Sequence, residues 1–168
     1  MRMQQVDPQA DFLRAYDAYA DAIFRHCYFR LYDRERAREL MQETFTRTWR
    51  YLSDGGQIDH LRAFLYRTAR NLIIDEQRRR TNVSLDALLE QGIDPAPVSG
   101  TTLEVAADAH RLLEVIHQLP LEYKEVLLLR YVDGLAPREI AQLTGESANV
   151  ISVRIYRARR QLRQHYPA

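Results

Sequence analysis

Apolar residues recur at steps of three and four positions through most of the chain, and stretches that alternate apolar and polar residues are almost absent. A period of three to four residues places apolar side chains on one face of an α-helix, whereas a half-buried strand needs a period of two. The pattern therefore predicts a protein of the all-α class.

Capping residues and glycines divide the first part of this pattern into three helices. Asp7-Pro8 is typical of a helix start, and Asp33 can cap a second helix that Ser53-Asp54-Gly55-Gly56 ends. A third helix is predicted from Asp59 onward. We expect the three helices to form a first small domain over residues 8–80.

Charge is segregated along the chain, although the net charge is only +1. Arginines cluster between residues 62 and 80 and again from residue 150 to the end, and the second cluster contains no acid. Clustered positive charge, rather than the total, indicates a nucleic-acid-binding surface. Residues 81–108 carry acids but no lysine or arginine, and prolines and glycines interrupt them. We therefore expect an acidic linker at 81–108 and a second helical domain at 109–166.

Several classes of protein do not fit this sequence. No apolar stretch approaches the roughly 20 residues of a membrane-spanning helix, and Met1–Asp7 lacks the apolar core of a secretory signal, so we expect no membrane insertion and a cytoplasmic location. Cys27 has no second cysteine to pair with, and the five histidines lack metal-ligand spacing. Without a phosphate-binding glycine loop or a nucleophile motif, we predict no metal, no cofactor and no enzymatic activity.

The residues from Pro137 to Ile155 have the pattern of a helix-turn-helix. Ala141 is small where two helices must approach closely, Gly145 lies at the turn, and Ser147 can cap the following helix. The inner face of that helix is predicted to contain Ile151, Ile155, Ala158 and Leu162. Its outer face is polar and basic, which favours DNA binding over the alternative of a plain helical hairpin with a solvated arginine face.

With these residues in view, the sequence resembles the extracytoplasmic-function group of bacterial sigma factors, over about residues 10–80 and 105–165. Leu40–Trp49 is similar to the helix that binds the polymerase clamp in that family, and Phe64–Asp75 is similar to its promoter-melting and −10-reading helix. Four segments are similar to the −35-reading domain of the family: Leu119-Pro120, Leu127–Gly134, Glu139-Ile140-Ala141 and Arg154–Arg159.

The resemblance implies a sigma factor that binds core RNA polymerase, through the β′ clamp and the β flap, and recognises promoter DNA at its −10 and −35 elements. It also implies help in melting the duplex for transcription initiation. A cognate anti-sigma factor is a partner that such proteins often have. The chain departs from the family's usual residues at Arg36, Arg38 and Ser152.

The resemblance assigns roles to three groups of residues. Polymerase binding is expected from Glu39, Gln42 and Glu43. Recognition of the −10 element and melting are expected from Phe64, Tyr66, Arg67, Arg70, Asn71, Arg78 and Arg79. Binding of −35 DNA is expected from Ser147, Asn149, Ser152, Val153, Arg154, Arg157 and Arg160.

The chemistry of these side chains suits the roles. Aromatic rings at Phe64 and Tyr66 can stack on a base that has left the duplex, and the amide of Asn71 can both donate to and accept from a base edge. In the second helix of the helix-turn-helix, early residues including Arg154 are expected to read bases, and the later Arg159, Arg160 and Arg163 to hold phosphates. Arg157 lies between the two groups and could do either. For Arg154 the alternative is an inward ion pair with an acid such as Glu139.

Two other functions also fit the residues. A stand-alone regulator would bind an operator through its helix-turn-helix without polymerase, and a helical adaptor with solvated basic stripes would show no salt-sensitive DNA affinity. The ordered set of motifs favours the sigma-factor interpretation over both.

Overall fold

The structure, a computed structural model, describes residues 8–82, 112 and 114–165, and the chain divides into two units, Met1–Gly92 and Ile93–Ala168. Every regular element among the described residues is helical, which confirms the predicted all-α class. The predicted acidic linker lies outside the described residues, apart from its first two positions, which end the third helix.

Three long helices form the described part of the first unit, and each contacts the other two. They are α1 (Pro8–Leu31), α2 (Arg34–Ser53) and α3 (Leu61–Asn82). The Asp33 carboxylate accepts a 2.9 Å hydrogen bond from the backbone N–H of Arg36, so the predicted cap is confirmed.

α3 begins at Leu61, two residues after the start predicted at Asp59. The carbonyl of His60 accepts the hydrogen bond from Phe64 N at 3.0 Å that opens the helix. Residues between the Gly55 turn and His60 therefore belong to the loop that precedes α3 rather than to the helix.

The core of the first unit follows the predicted helical spacing. Its most completely buried members include Ile23, Cys27, Ala37, Leu40, Phe45, Leu65, Ala69 and Ile73. Two buried threonines, Thr44 and Thr48, donate their hydroxyls to the carbonyls four residues earlier, at 2.7 and 2.8 Å. α2 can therefore bury these polar side chains without leaving them unsatisfied.

The second unit is built from shorter helices. They are α4 (Leu121–Leu127), which continues into a π-helical turn at Leu128–Val132, then α5 (Pro137–Thr144) and α6 (Ala148–His165), with helical backbone also at 114–118. The π-helical turn, in which Asp133 N donates to Leu128 O at 3.0 Å, was not predicted. α6 contacts both α4 and α5, and its buried residues include Ile151, Ile155 and Ala158, as predicted.

Candidate nucleic-acid interface

α5 and α6 meet at a sharp turn centred on Gly145. Its φ of 78° lies in the left-handed region, which a side chain disfavours, and its N–H donates to Ala141 O at 2.9 Å. Glu146 N donates to the same carbonyl at 3.2 Å. Ser147 Oγ accepts from Val150 N at 3.2 Å, so the predicted cap starts α6. The local sequence thus builds the helix-turn-helix corner that its spacing predicts.

The outer face of α6 is clear of the core. Side chains exposed there are Asn149, Val150, Ser152, Val153, Tyr156, Arg157, Arg159, Arg160 and Arg163. α6 contains no acid, and its exposed residues change from polar and apolar in the first turns to basic in the later ones. Such a face can enter a groove with its first turns and meet phosphates with its later turns.

Arg154 does not share this outward orientation. Its guanidinium binds Glu146 through two parallel contacts, with Nη2 to Oε1 at 2.7 Å, and its Nε lies 3.9 Å from Glu122 Oε2. The hydrogen bonds to Glu146 raise the pKa of Arg154. This pair ties α6 to its own turn, and base reading by Arg154 stays a prediction. The alternative of an inward pair holds, with Glu146 rather than Glu139 as partner.

The later part of α6 contains a residue that the sequence reasoning left out of the site. Tyr156 is 68% exposed, and together with Arg159, Arg160, Arg163 and Gln164 it lines a shallow depression of about 350 Å³. Its position three residues after Val153, on the outer face, was the available signal. An aromatic ring among arginines suits contact with the sugar-phosphate backbone.

The residues predicted on α3 separate into exposed and enclosed positions. Arg67, Asn71, Arg78 and Arg79 are exposed, and Phe64 and Arg70 are half-buried. Tyr66 is only 2% exposed: His26 packs edge-on against its ring at 5.1 Å, and the Arg62 guanidinium lies 5.7 Å from its centroid. The ring is therefore part of the core of the first unit, and a base could stack on it only if the ring left these contacts. The melting role of Tyr66 stays a prediction.

An aromatic pair between the end of α2 and the start of α3 supplies a different surface. The rings of Tyr51 and Phe64 lie 5.1 Å apart, and Tyr51 is 44% exposed. A Cβ at Gly56 would lie 2.4 Å from the Tyr51 ring, so a larger residue there would displace the ring. The loop between α2 and α3 therefore depends on glycine at position 56 to fit against this pair, and sequence reasoning did not identify Tyr51.

A network of charges joins the end of α3 to the start of α2. Glu76, which is 8% exposed, accepts from Arg36 Nη2 at 2.7 Å and from Arg80 Nε at 3.2 Å, and Arg80 Nη2 donates to Asp33 at 2.9 Å. The hydrogen bond from Arg36 holds the pKa of Glu76 below its ordinary value. Arg80 thus fixes α3 in place, although it belongs to the arginine cluster between residues 62 and 80.

The predicted polymerase-binding residues share the accessible side of α2. Glu39 and Gln42 are exposed and Glu43 is half-buried. Glu39 pairs with Arg36, and Glu43 accepts from Arg47 Nε at 2.7 Å. Each acid therefore has an arginine on the same helix, and the surface is one of mixed charge with an amide at its centre.

Other kinds of site are not evident within the described ranges. No cluster of three or more histidine, cysteine or acidic side chains suited to a metal ion occurs at 8–82 or 114–165. Over the same residues no helix has the length and apolar character needed to cross a membrane.

Family models match both units in order. Residues 15–83 match the model for sigma-70 region 2, and residues 109–162 match the model for sigma-70 region 4. The two matches include α2, α3 and the helix-turn-helix, which are the elements that carry the surfaces described above.

Curated relatives agree with these matches, and a solved structure shares the fold. The chain is 31% identical over 160 residues to the ECF RNA polymerase sigma factor BldN of Streptomyces coelicolor, covering 93% of this chain but only 60% of the relative's length. It is 28% identical over 181 residues to the ECF RNA polymerase sigma factor SigW of Bacillus subtilis, covering 97% of this chain and 94% of SigW. The sigma factor RpoE of Bartonella quintana, solved with the anti-sigma factor NepR, shares the fold with a TM-score of 0.73 at 20% identity, covering 92% and 95% of the two chains.

Proposed function

Since the chain belongs to the extracytoplasmic-function group of the sigma-70 family, we propose that it binds core RNA polymerase, recognises −10 and −35 promoter elements and helps melt promoter DNA. The observation that carries the proposal is the outer face of α6, which follows a helix-turn-helix corner and contains no acid. A helix of this kind is suited to a major groove.

The docking surface for polymerase is the side of α2 that carries Glu39, Gln42 and Glu43. Both acids already have arginine partners on the same helix, Arg36 and Arg47, in exposed or half-exposed pairs. Exposed pairs of this type contribute little to stability. A basic surface on the polymerase clamp can therefore replace the arginines as partners of the two acids at a small cost in free energy. Contact with the β flap is assigned to the second unit.

The −10 element is read from α3. Asn71 offers an exposed amide for a base that has left the stack, and Phe64 lies about two turns earlier on the same helix. Phosphate contacts come from the exposed or half-exposed arginines of the same helix, Arg67, Arg70, Arg78 and Arg79.

The −35 element is read from the first turns of α6. Asn149, Ser152 and Val153 are exposed there, and Ser147 caps the helix at its entry. Arg157 and Arg160 follow on the same face and hold phosphates.

The protein acts by binding rather than by catalysis, as a cytoplasmic subunit of the polymerase. Residues 8–80 and 109–166 form its two DNA-reading domains, and 81–108 tether them. Because the related RpoE was solved with an anti-sigma factor, we assign such a regulator as a further partner.

The test is transcription from a randomised promoter library. The full chain is mixed with bacterial core RNA polymerase, and the starts of the transcripts are mapped and aligned. We expect two shared elements upstream of the start, and no such transcripts from core polymerase alone. Binding of a defined operator by the chain without polymerase, with no promoter-specific transcripts, would instead favour the stand-alone regulator.

A further inference from the structure

The first two turns of α6, residues 148–154, offer few groups that can donate to a base edge. Ser152 donates its hydroxyl to Ala148 O at 2.8 Å, and Arg154 is bound to Glu146. Among residues 148–154, the exposed side-chain amide of Asn149 is then the group that can donate a hydrogen bond to a base edge. Two valines, Val150 and Val153, are exposed beside it.

Val153 occupies the centre of the outer face. Successive residues turn by about 100° around an α-helix, so Val153 lies roughly opposite the buried side chains of Ile151 and Ile155. Asn149 precedes it by one turn on the same face, and Arg157 follows by one turn. Val153 is 42% exposed. Exposure of an apolar side chain to water is unfavourable in free energy, and contact with an apolar partner would remove that cost.

The apolar group that the major groove of DNA presents is the C5-methyl of thymine. A G·C pair beneath Val153 would place polar base atoms against a side chain that cannot hydrogen-bond to them. An adenine edge near Asn149 has the acceptor and donor that match an amide. The two residues, one helical turn apart, therefore suit neighbouring A·T pairs.

We propose that Val153 is a specificity-determining residue that packs on a thymine methyl, so that the −35 element of this chain contains an A·T pair opposite the centre of α6. This inference rests on the proposed function and deepens it by naming the base group that is read.

A uracil scan tests the proposal, because deoxyuridine differs from thymidine only in the missing methyl. Holoenzyme, made from the full chain and core RNA polymerase, is titrated with duplexes of its selected promoter in which each thymine is replaced in turn. We expect one position in the −35 element to weaken binding by about three- to fivefold, the value for loss of one buried methyl. Uracil at thymines outside both promoter elements serves as the control DNA.

Two matched variants assign the effect to its residue. In Val153→Ala holoenzyme we expect thymine and uracil at that position to bind equally well. Val150→Ala removes the same atoms from a valine of nearly equal exposure, 44%, and should keep the difference. Since both valines are exposed, circular dichroism should show unchanged helicity.

The outcomes separate this inference from the proposed function. If base changes in the −35 element weaken binding but uracil never does, the methyl contact is wrong and the proposed function stands. If Val150→Ala rather than Val153→Ala abolishes the difference, the assignment to Val153 is wrong. If no upstream sequence affects binding by the holoenzyme, the proposed function fails and this inference fails with it.

Discussion

The two helices proposed to read DNA are held in different ways. α3 is covered by both α1 and α2, and its buried residues include Leu65, Tyr66, Ile73 and Glu76. α6 contacts the shorter α4 and α5 on one side and leaves a broad outer face. The comparison shows that a basic helix can present very different fractions of its surface to DNA, depending on how many neighbours cover it.

Both helices nevertheless use one arginine for the fold. Arg80 of α3 binds Glu76 and Asp33, and Arg154 of α6 binds Glu146. An arginine that donates to a carboxylate in the same unit must give up that pair before it can bind a phosphate or a guanine. A count of the arginines in each basic cluster therefore overstates how many side chains each unit can offer to DNA without breaking an internal ion pair.

The largest effect is expected from Glu76→Ala. This change leaves Arg36 and Arg80 without their shared, nearly buried carboxylate, so the first unit should lose about 2–3 kcal/mol of its free energy of unfolding. Trp49 is the single tryptophan of the chain and lies on α2. Urea unfolding followed by tryptophan fluorescence therefore reports on this unit.

Asp75→Ala is the matched control, because Asp75 is exposed next to Glu76, and it should change stability little. The contribution of Glu76 should also depend on pH. Its pKa in the folded protein is lowered from 4.5, so its stabilisation is present above that pH and is lost as the pH falls through the lowered value. The difference between the two proteins should therefore shrink in acid. An equal loss for both substitutions would contradict a role for the network.

The sequence predicted the helices well and the polar contacts poorly. Apolar spacing located the buried faces, since each helix must turn one face to the core. Glu76 was missed although it continues the buried series Leu65, Ala69 and Leu72 at helical steps, which was a usable signal. The partners of Tyr66 and Arg154 were not identified, because His26 and Glu146 lie outside the helices of those residues and spacing within one helix carries no information about such contacts.

The next largest effect should separate the fold from DNA reading in the second unit. Arg154→Ala removes a two-point ion pair that is about one quarter exposed, and should cost the second unit about 1–2 kcal/mol. We expect weaker binding to every −35 sequence and an unchanged order of preference, measured by selection from a randomised −35 library. Arg157→Ala, at an exposed position without this pair, should leave thermal stability unchanged. A changed base preference at unchanged stability would support the base-reading role of Arg154.

A smaller effect is expected from a substitution on α3, which tests whether the more covered helix still reads a base. Asn71→Ala removes an exposed amide and should reduce promoter opening about fivefold, the cost of one lost base contact of roughly 1 kcal/mol. Permanganate footprints of the open bubble measure opening, and binding to a −35 duplex by the same holoenzyme is the internal control. Equal footprints for the two proteins would remove Asn71 from the −10 site.

The smallest effect should come from Arg160→Ala, and its form rather than its size is informative. Arg160 is exposed on the outer face of α6, about two turns beyond Val153, where a helix leaves the groove and passes the backbone. A phosphate contact releases about one counterion, so the slope of log affinity against log salt should fall by roughly one unit, with all promoter sequences weakened alike. Arg154→Ala should leave that slope unchanged, because its guanidinium is already neutralised by Glu146. If both substitutions lower the salt slope equally, the distinction between the fold-stabilising and the DNA-facing arginines of α6 does not hold.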